Sequence, residues 1–191
     1  MQEYLKEYIA LAQALAGDER LTTFFLSVVE AVVRALRAGN KVLAAGNGGS
    51  AADAQHFTTE FVAKFKVKRA AYAAIALTTD TSMLTAWSND EGFEGVFERQ
   101  IEALGRTGDI FFGISTSGNS ENIIRAITAA KQKGIVTVAL LGGDGGRTKG
   151  MADLEFIVPS KNTPRIQEAH MLILHGIAEE VEKKMIAAAG K

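Results

Sequence analysis

Two glycine- and serine-rich loops, each placed between an apolar run and a helical pattern, restrict what this chain can become. The first is Gly46-Asn-Gly-Gly-Ser50, which follows residues 41–45. The second is Ser115-Thr-Ser-Gly-Asn-Ser120, which follows residues 109–114 and precedes a helical pattern over 121–133. The first turn of a helix has unpaired N–H groups, and these groups together with the helix dipole favour a bound anion. The two loops therefore predict a site for a phosphate or a carboxylate.

The chemistry of the second loop favours phosphate. Glycines alone do not identify a ligand site, because a tight turn between a strand and a helix also needs residues with positive φ. A turn explains one Ser or Asn, whereas the hydroxyls of this loop can surround phosphoryl oxygens. The sequence Gly46-x-Gly48-x-x-Ala51 also fits the dinucleotide-binding pattern. That pattern requires an acidic residue about 20 positions later, where this chain has the basic stretch 64–69, so a dinucleotide is the weaker interpretation.

Strand-like and helical patterns alternate along the chain. Helical patterns over 5–15 and 21–36 come first, and a long one over 164–189 comes last; the strand-like runs are 41–45, 74–77, 109–114, 135–141 and 154–158. Continuous apolar strands separated by helices predict an α/β fold with a parallel sheet covered on both faces. Right-handed crossovers then bring ligands to the carboxyl ends of the strands, where both loops lie. The terminal helices carry more apolar surface than this sheet needs, which predicts a subunit interface.

Composition predicts one domain and excludes several classes of protein. The 191 residues are 47% hydrophobic and contain no linker, so we expect a single domain over 1–191, with N-terminal helices in 1–39, an α/β core in 40–160 and a C-terminal helix in 163–189. The net charge of −1 argues against direct binding of nucleic acid or an anionic membrane, and the basic clusters 64–69 and 131–133 are expected to end helices or to lie in solvent.

The N-terminal sequence and the absence of cysteine bear on the location of the protein and on its possible metal ligands. The N-terminus lacks the layout of a signal peptide, and no apolar run is long enough to span a bilayer, so we expect a cytoplasmic protein without a membrane partner. The absence of cysteine excludes disulfides and thiolate chemistry. Any metal ion must therefore be bound by imidazole, carboxylate, amide or water.

The three histidines point to one candidate centre. His56 lies in the helix after the first loop, and Glu60, four residues later, projects from the same face. In the C-terminal helix, Gln167 and His175 share a row, whereas His170 points about 140° away from His175. A His/Glu pair at this spacing is often a solvated ion pair. Its position close to the first loop makes it a candidate for catalysis or metal binding.

Four stretches of the sequence resemble a known family. They are Gly46-Asn-Gly-Gly-Ser-Ala-Ala-Asp-Ala-Gln-His-Phe-Thr-Thr-Glu60, Ser88-Asn-Asp-Glu-Gly-Phe93, Gly113-Ile-Ser-Thr-Ser-Gly-Asn-Ser120 and Arg165-Ile-Gln-Glu-Ala-His170. They resemble the phosphoheptose isomerases of the sugar isomerase (SIS) domain superfamily. The resemblance covers nearly the whole chain. It implies a flavodoxin-like αβα sandwich with a five-stranded parallel sheet, assembled as a homotetramer with active sites at subunit interfaces.

The resemblance also implies an activity and a set of site residues. The family converts D-sedoheptulose 7-phosphate to D-glycero-D-manno-heptose 7-phosphate, the first step towards the activated heptoses of lipopolysaccharide and other surface glycans. Zinc, one ion per subunit, would be bound by His56, Glu60, Gln167 and His175. Substrate would contact Asn47, Gly48, Gly49, Ser50, Glu60, Asn89, Asp90, Ser115, Thr116, Ser117, Ser120 and Gln167. Some members have an Asp where this chain has Pro164, so any contact from that carboxylate is missing or supplied elsewhere.

The reaction suits these residues, and a rival function shares the fold. Moving a carbonyl between C1 and C2 requires a base and an acid, which we assign to Glu60 and His175, and zinc would stabilise the cis-enediolate. A side chain that also binds zinc is a poorer base, so a ligand would have to loosen or the metal-bound oxygen would share the proton transfer. Ser-Ala-Ala-x-Ala-Gln-His-Phe is also close to the protein that binds the bacterial replication initiator. A sugar-phosphate sensor is the third hypothesis.

Overall fold

The structure, a computed structural model, describes residues 1–189 and is an α/β fold. Two short 3₁₀ helices, Phe93–Gly95 and Gly146–Thr148, accompany the regular elements. In chain order those elements are α1 (Gln2–Ala16), α2 (Glu19–Arg37), β1 (Val42–Gly46), α3 (Gly49–Val62), β2 (Ala74–Ala76), α4 (Thr81–Asp90), α5 (Val96–Leu104), β3 (Ile110–Ser115), α6 (Glu121–Gln132), β4 (Val136–Leu141), β5 (Leu154–Ile157) and α7 (Thr163–Ala189).

The five strands form one parallel sheet in the order β2-β1-β3-β4-β5. The predicted parallel sheet is confirmed, and each predicted strand boundary lies within one residue of the observed one. The direction of winding reverses between β1 and β3, which pair so that Gly46 lies opposite Ile114. In open α/β sheets ligands bind in the crevice at such a reversal. Both glycine-rich loops begin at the carboxyl ends of these two strands.

Helices cover both faces of the sheet, as the continuous apolar strands predict. All five residues of β1 are buried. Its alternate side chains point to opposite faces, so that Val42 and Ala44 pack with residues of α2, α3 and α7, while Leu43 and Ala45 pack with residues of α5 and α6. The result is a three-layer αβα arrangement in which α3 and α7 lie on the same side of the sheet.

Helix α7 buries a stripe of apolar side chains. Its members recur every three or four residues: Ile166, Ala169, Ile173, Ile177 and Val181. Leu172, on the same helix, is 52% exposed. Leu172 precedes Ile173 by one residue and therefore points about 100° away from it.

The N-terminal helices leave apolar surface uncovered in this chain. Helix α1 packs on α7 and buries only Leu11 and Leu15. Tyr4, Leu5 and Ile9 on the same helix are more than half exposed. A run of exposed large apolar side chains of this kind marks an interaction surface.

The basic stretch 64–69 is expected to end a helix or to lie in solvent, and Arg69 is buried against the last turn of α3. The Arg69 side chain is only 6% exposed, and its Nε donates to Glu182 at 2.9 Å. A buried charge is costly unless it is paired and hydrogen bonded. The spacing of residues in the sequence does not reveal such a partner. In the described residues, no helix is long and apolar enough to cross a membrane.

Candidate active site

Two histidines and a glutamate meet where α3 packs against α7. His56 Nε2 lies 3.1 Å from Glu60 Oε1 on α3 and 2.9 Å from His175 Nε2 on α7. The ring of Phe65, in the loop after α3, packs against the His175 ring with centroids 5.7 Å apart. The structure thus brings together three of the predicted site residues. His175 is more than 100 residues away from His56 in the sequence.

The donor set of this cluster suits a metal ion. Within residues 1–189 it is the only group of at least three His, Asp or Glu side chains with ligand atoms that converge, and these atoms lie within 4.8 Å of one another. Imidazole nitrogen and carboxylate oxygen are ligands that zinc prefers. His56, Glu60 and His175 would hold the ion. The residues therefore fit the predicted zinc.

Asp53, a residue that sequence reasoning missed, lies one turn before His56 on α3. Its Oδ2 is buried and has no hydrogen-bond partner in the described structure. Burial raises the pKa of the Asp53 carboxyl to about 6, and the interaction with His56 offsets part of that rise. Its spacing of three residues from His56 was a usable signal, because residues i and i+3 share a helix face.

Gln167 faces the first loop. Its amide lies against the backbone of Gly49, where a Cβ would come within 2.5 Å of Gln167 Nε2. A larger residue at position 49 would therefore displace the Gln167 amide. Gln167 on α7 thus lies against the first turn of α3.

The first loop has the features of an anion site. Gly48 is the N-cap of α3 with φ +55, and the first turn of the helix contains no acidic residue. Ser50 is buried in that turn. The Asn47 amide exchanges two 2.9 Å hydrogen bonds with the amide of Asn122 in α6. This reciprocal pair holds the two loops together, and Asn122 is a second residue that sequence reasoning missed.

The second loop is a compact turn with its hydroxyls close together. Ser115 Oγ lies 3.1 Å from Ser120 Oγ and accepts a hydrogen bond from the Gly118 N–H. Ser120 is the N-cap of α6, and no backbone N–H of the helix bonds to its side chain. The exposed Ser117 Oγ accepts from the Asn119 N–H. The loop therefore presents hydroxyls and a helix N-terminus to the same crevice, with half-buried Thr116 beside them.

A further glycine-rich turn, residues 142–150, packs against the second loop and supports it. Thr148 donates from both its N–H and its hydroxyl to the Gly118 carbonyl. Gly118 has φ +64, and a Cβ there would collide with the Gly145 carbonyl. The Arg147 N–H donates to Asn119 Oδ1. Sequence reasoning did not identify this supporting turn, although its five glycines between β4 and β5 were visible.

The N-terminus of α6 carries one acidic residue, Glu121, whose charge is compensated. Arg147 and Arg125 hydrogen bond to its carboxylate and hold the pKa of Glu121 below its usual range. A bare carboxylate at this position would oppose a second anion. The two guanidinium groups remove that conflict.

Two predicted substrate contacts and one histidine lie apart from this cluster. Asn89 and Asp90 end α4, which packs against α5; both are exposed, and Asn89 donates to Asp90 at 2.8 Å. No hydrogen bond within residues 1–189 joins either of them to the loops. His170 is fully buried, and its Nε2 lies 3.0 Å from the Leu141 carbonyl, as its predicted direction implies. Burial lowers the pKa of His170 to about 4, so the ring is neutral.

A groove of about 670 Å³ opens beside the histidine cluster. His175 forms part of its wall, and Tyr4, Leu5, Met171 and Leu172 provide apolar lining. The cluster therefore borders the uncovered apolar surface of α1 and α7. The arrangement therefore places a carboxylate and two imidazoles near the N-termini of α3 and α6.

The chain is similar to SIS-domain proteins and, along most of its length, to phosphoheptose isomerases. Residues 3–142 match the family model described as SIS domain. The chain is 54% identical over 181 residues to a phosphoheptose isomerase of Geobacter sp. (strain M21), covering 95% of this chain and 93% of the relative. Solved phosphoheptose isomerases from Neisseria gonorrhoeae and Francisella tularensis share 42% and 38% identity, with TM-scores of 0.89 and 0.91; each comparison covers 95% of this chain and 96% of the other.

Proposed function

This chain belongs to the phosphoheptose isomerase family of SIS-domain proteins, and from that membership we propose that it converts D-sedoheptulose 7-phosphate to D-glycero-D-manno-heptose 7-phosphate. The reaction is an aldose–ketose isomerisation through a cis-enediolate, at the start of activated-heptose synthesis. The observation that carries the proposal is the convergence of His56, Glu60 and His175 beside two loops built for an anion. A phosphate at one end of the substrate and acid–base groups near the other are what this reaction requires.

Glu60 and His175 are the proposed acid–base pair. The Glu60 carboxylate takes a proton from C1 of the ketose, and a proton is returned to C2, which gives the aldose. His175 transfers the hydroxyl proton between O1 and O2. The Glu60 side chain is only 15% exposed, and this low exposure supports its role because water competes little for the carboxylate. His56 lies within hydrogen-bond distance of His175 and close to Glu60, and this holds the pair in place.

The two loops are the proposed phosphate site. The N-termini of α3 and α6 supply backbone N–H groups, and the phosphate contacts are proposed to come from Ser50, Ser115, Thr116, Ser117 and Ser120, with Asn47, Gly48 and Gly49 on the other side. The Asn47–Asn122 pair supports this assignment because it fixes the spacing between the loops. Asn89 and Asp90 are proposed as further substrate contacts. Their exposed position supports a contact across a subunit interface.

Zinc is the proposed cofactor, one ion per subunit. His56, Glu60, Gln167 and His175 are the proposed ligands. When bound, the ion would polarise the two oxygens of the substrate and stabilise the charge that develops on them. Glu60 and Gln167 also face the proposed substrate position. The fit of the converging imidazole and carboxylate atoms supports this assignment.

A homotetramer in the cytoplasm is the proposed state of the protein. The exposed apolar side chains of α1 and Leu172, next to the groove at His175, support an interface that borders the active site. A cytoplasmic location follows from the proposed substrate, since a phosphorylated sugar carries charge that the bilayer excludes.

Incubation with sedoheptulose 7-phosphate tests the proposed function directly. The protein is assayed with zinc added and after treatment with a chelator, and the aldose product is followed by NMR. We expect conversion with zinc and loss of conversion with the chelator. If zinc-loaded protein binds the sugar phosphate without converting it, the sensor hypothesis replaces the enzyme. If it neither binds nor converts the sugar phosphate, the initiator-binding hypothesis is the one to test.

A further inference from the structure

The acid–base pair lies on two different helices, and a buried ion pair joins those helices close to the site. Glu60 is near the end of α3, and His175 is in the middle of α7. The relative position of two side chains on different helices depends on whatever fixes those helices to each other. Ligands of a metal ion, or an acid and a base that share a substrate, tolerate errors of about 0.5 Å.

Glu182 is buried, and hydrogen bonds hold its carboxylate in place. It lies two turns after His175 on α7, about 10 Å along the helix. Its carboxylate accepts hydrogen bonds from three consecutive backbone N–H groups, those of residues 65–67, at 2.8–3.1 Å, and a fourth from Arg69 Nε at 2.9 Å. Burial alone raises the pKa of Glu182, but these hydrogen bonds outweigh it and hold the pKa below its usual range. The carboxylate is therefore charged and fully paired.

Arg69 extends this link to the other helix. Its Nη2 donates to the Glu60 carbonyl at 2.7 Å, and its Nη1 donates to the Phe61 carbonyl at 2.9 Å. These carbonyls belong to the last turn of α3, where backbone oxygens lack helical partners. The guanidinium also stacks on the Tyr72 ring, 3.9 Å from its centroid. The planar fork of Arg satisfies Glu182 and both carbonyls at once, which a Lys ammonium cannot reproduce.

The same link reaches His175. The loop whose N–H groups bind Glu182 begins with Phe65, and the Phe65 ring packs against the His175 ring. The network therefore contacts the backbone of the proposed base and the ring of the proposed acid. We propose that Arg69 and Glu182 are positioning residues, which set the distance between Glu60 and His175 and thereby the affinity of the cluster for its metal. This inference rests on the proposed function, and it assigns a role to two residues that touch neither substrate nor metal.

A matched control exists at the other end of the sheet. Asp109 precedes β3 and is 1% exposed; it accepts hydrogen bonds from the Lys41 and Arg106 N–H groups and pairs with the Lys41 ammonium. It thus resembles Glu182 in burial and in partners, but it lies at the amino end of the strands. Both Glu182→Gln and Asp109→Asn should destabilise the fold, because each leaves a buried cation without its partner. Only Glu182→Gln should change the site.

The test measures zinc affinity by chelator competition, kcat and KM for sedoheptulose 7-phosphate, and unfolding by urea. We expect Glu182→Gln to weaken zinc binding and to lower kcat by at least about tenfold each, in the range known for residues that orient metal ligands, with KM nearly unchanged. Asp109→Asn should retain the wild-type zinc affinity and kcat. Arg69→Lys keeps the charge and the pairing with Glu182 but loses the fork, and we expect an intermediate loss.

The outcomes separate this inference from the proposed function. Wild-type zinc affinity and kcat in folded Glu182→Gln and Arg69→Lys would overturn the positioning role, as would equal losses in Asp109→Asn. If Glu182→Gln does not fold, Arg69→Lys decides. A wild-type protein that binds zinc but does not isomerise the sugar overturns the proposed function alone, because zinc affinity still reports on positioning. A wild-type protein that isomerises the sugar without binding zinc overturns the zinc assignment alone, because kcat still reports on positioning.

Discussion

Replacing Glu60 by Gln tests the proposed base with little disturbance of the fold. The substitution keeps the shape of the side chain and removes the charge that accepts a proton. Inside the protein it changes one interaction, the 3.1 Å contact with His56 Nε2. The hydrogen bond from Arg69 to residue 60 uses the backbone carbonyl and is retained.

The expected effects on stability and on rate differ in size. A His/Glu pair spaced by four residues on a helix contributes about 0.3–0.5 kcal/mol to folding, so the free energy of unfolding should change by no more than that. A positioned base contributes about 10²–10⁴-fold to the rate. A loss of 10²-fold corresponds to about 2.7 kcal/mol in activation free energy. The activation free energy should therefore rise by several times more than the free energy of unfolding falls.

The assay follows aldose formation and the exchange of the C1 proton with solvent deuterium, with the zinc content of each sample measured alongside. We expect both rates to fall at least about 100-fold in Glu60→Gln, and His175→Gln to lose isomerisation similarly. Loss of zinc in either variant would show that the residue is also a ligand. Glu102→Gln is the control, because Glu102 forms a helical pair with Arg99 on α5, away from the cluster. Normal turnover by zinc-loaded Glu60→Gln would refute the assignment of the base.

Four further predictions address the phosphate site, the support of the second loop, assembly and pH. Ser117→Ala or Ser120→Ala should raise KM about ten- to hundred-fold with little change in kcat, since each hydrogen bond to a charged group is worth about 1.5–3 kcal/mol; unchanged KM in both would remove these serines from the phosphate site. Gly118→Ala should destabilise the protein and raise KM more than Gly143→Ala does, because both glycines have positive φ but only at Gly118 would the new Cβ meet the Gly145 carbonyl; equal effects in urea unfolding and kinetics would contradict this reason. The wild type should sediment as a tetramer at micromolar concentration, and Leu172→Lys should dissociate it, whereas a fully active monomer would exclude sites shared between subunits. Because the folded-state pKa of His170 is lowered from 6.5 to about 4, the unfolded chain binds the proton first, so this residue's contribution is complete above pH 6.5 and is lost as the pH falls towards 4. The stability of the wild type relative to His170→Gln, measured by urea unfolding, should fall over that range by up to about 3 kcal/mol, and a pH-independent difference would refute the burial argument.

The order of elements and the two loops could be predicted from the sequence because both depend on local chemistry. The apolar run 109–114 predicts a strand and the spacing of apolar residues over 164–189 predicts a helix, and the structure has β3 and α7 at these positions. Glycine and serine after a strand constrain the turn wherever the rest of the chain lies. The pairing of His56 with Glu60 follows from helix geometry alone. Their partnership with His175 was expected from the family resemblance, and the structure supplies the 2.9 Å distance between the imidazoles.

What the sequence determined by itself is therefore the parallel sheet, the place of the loops at its carboxyl edge, and the residue types available for acid–base chemistry. Only the tertiary structure decided which distant side chains meet. The amide pair of Asn47 and Asn122, and the burial of Arg69 against Glu182, join residues 75 and 113 positions apart. A polar residue in a helix has the same local preference whether it faces solvent or a buried partner. Its partner is fixed by the packing of the sheet and helices, because a buried polar group must be paired once that packing excludes water.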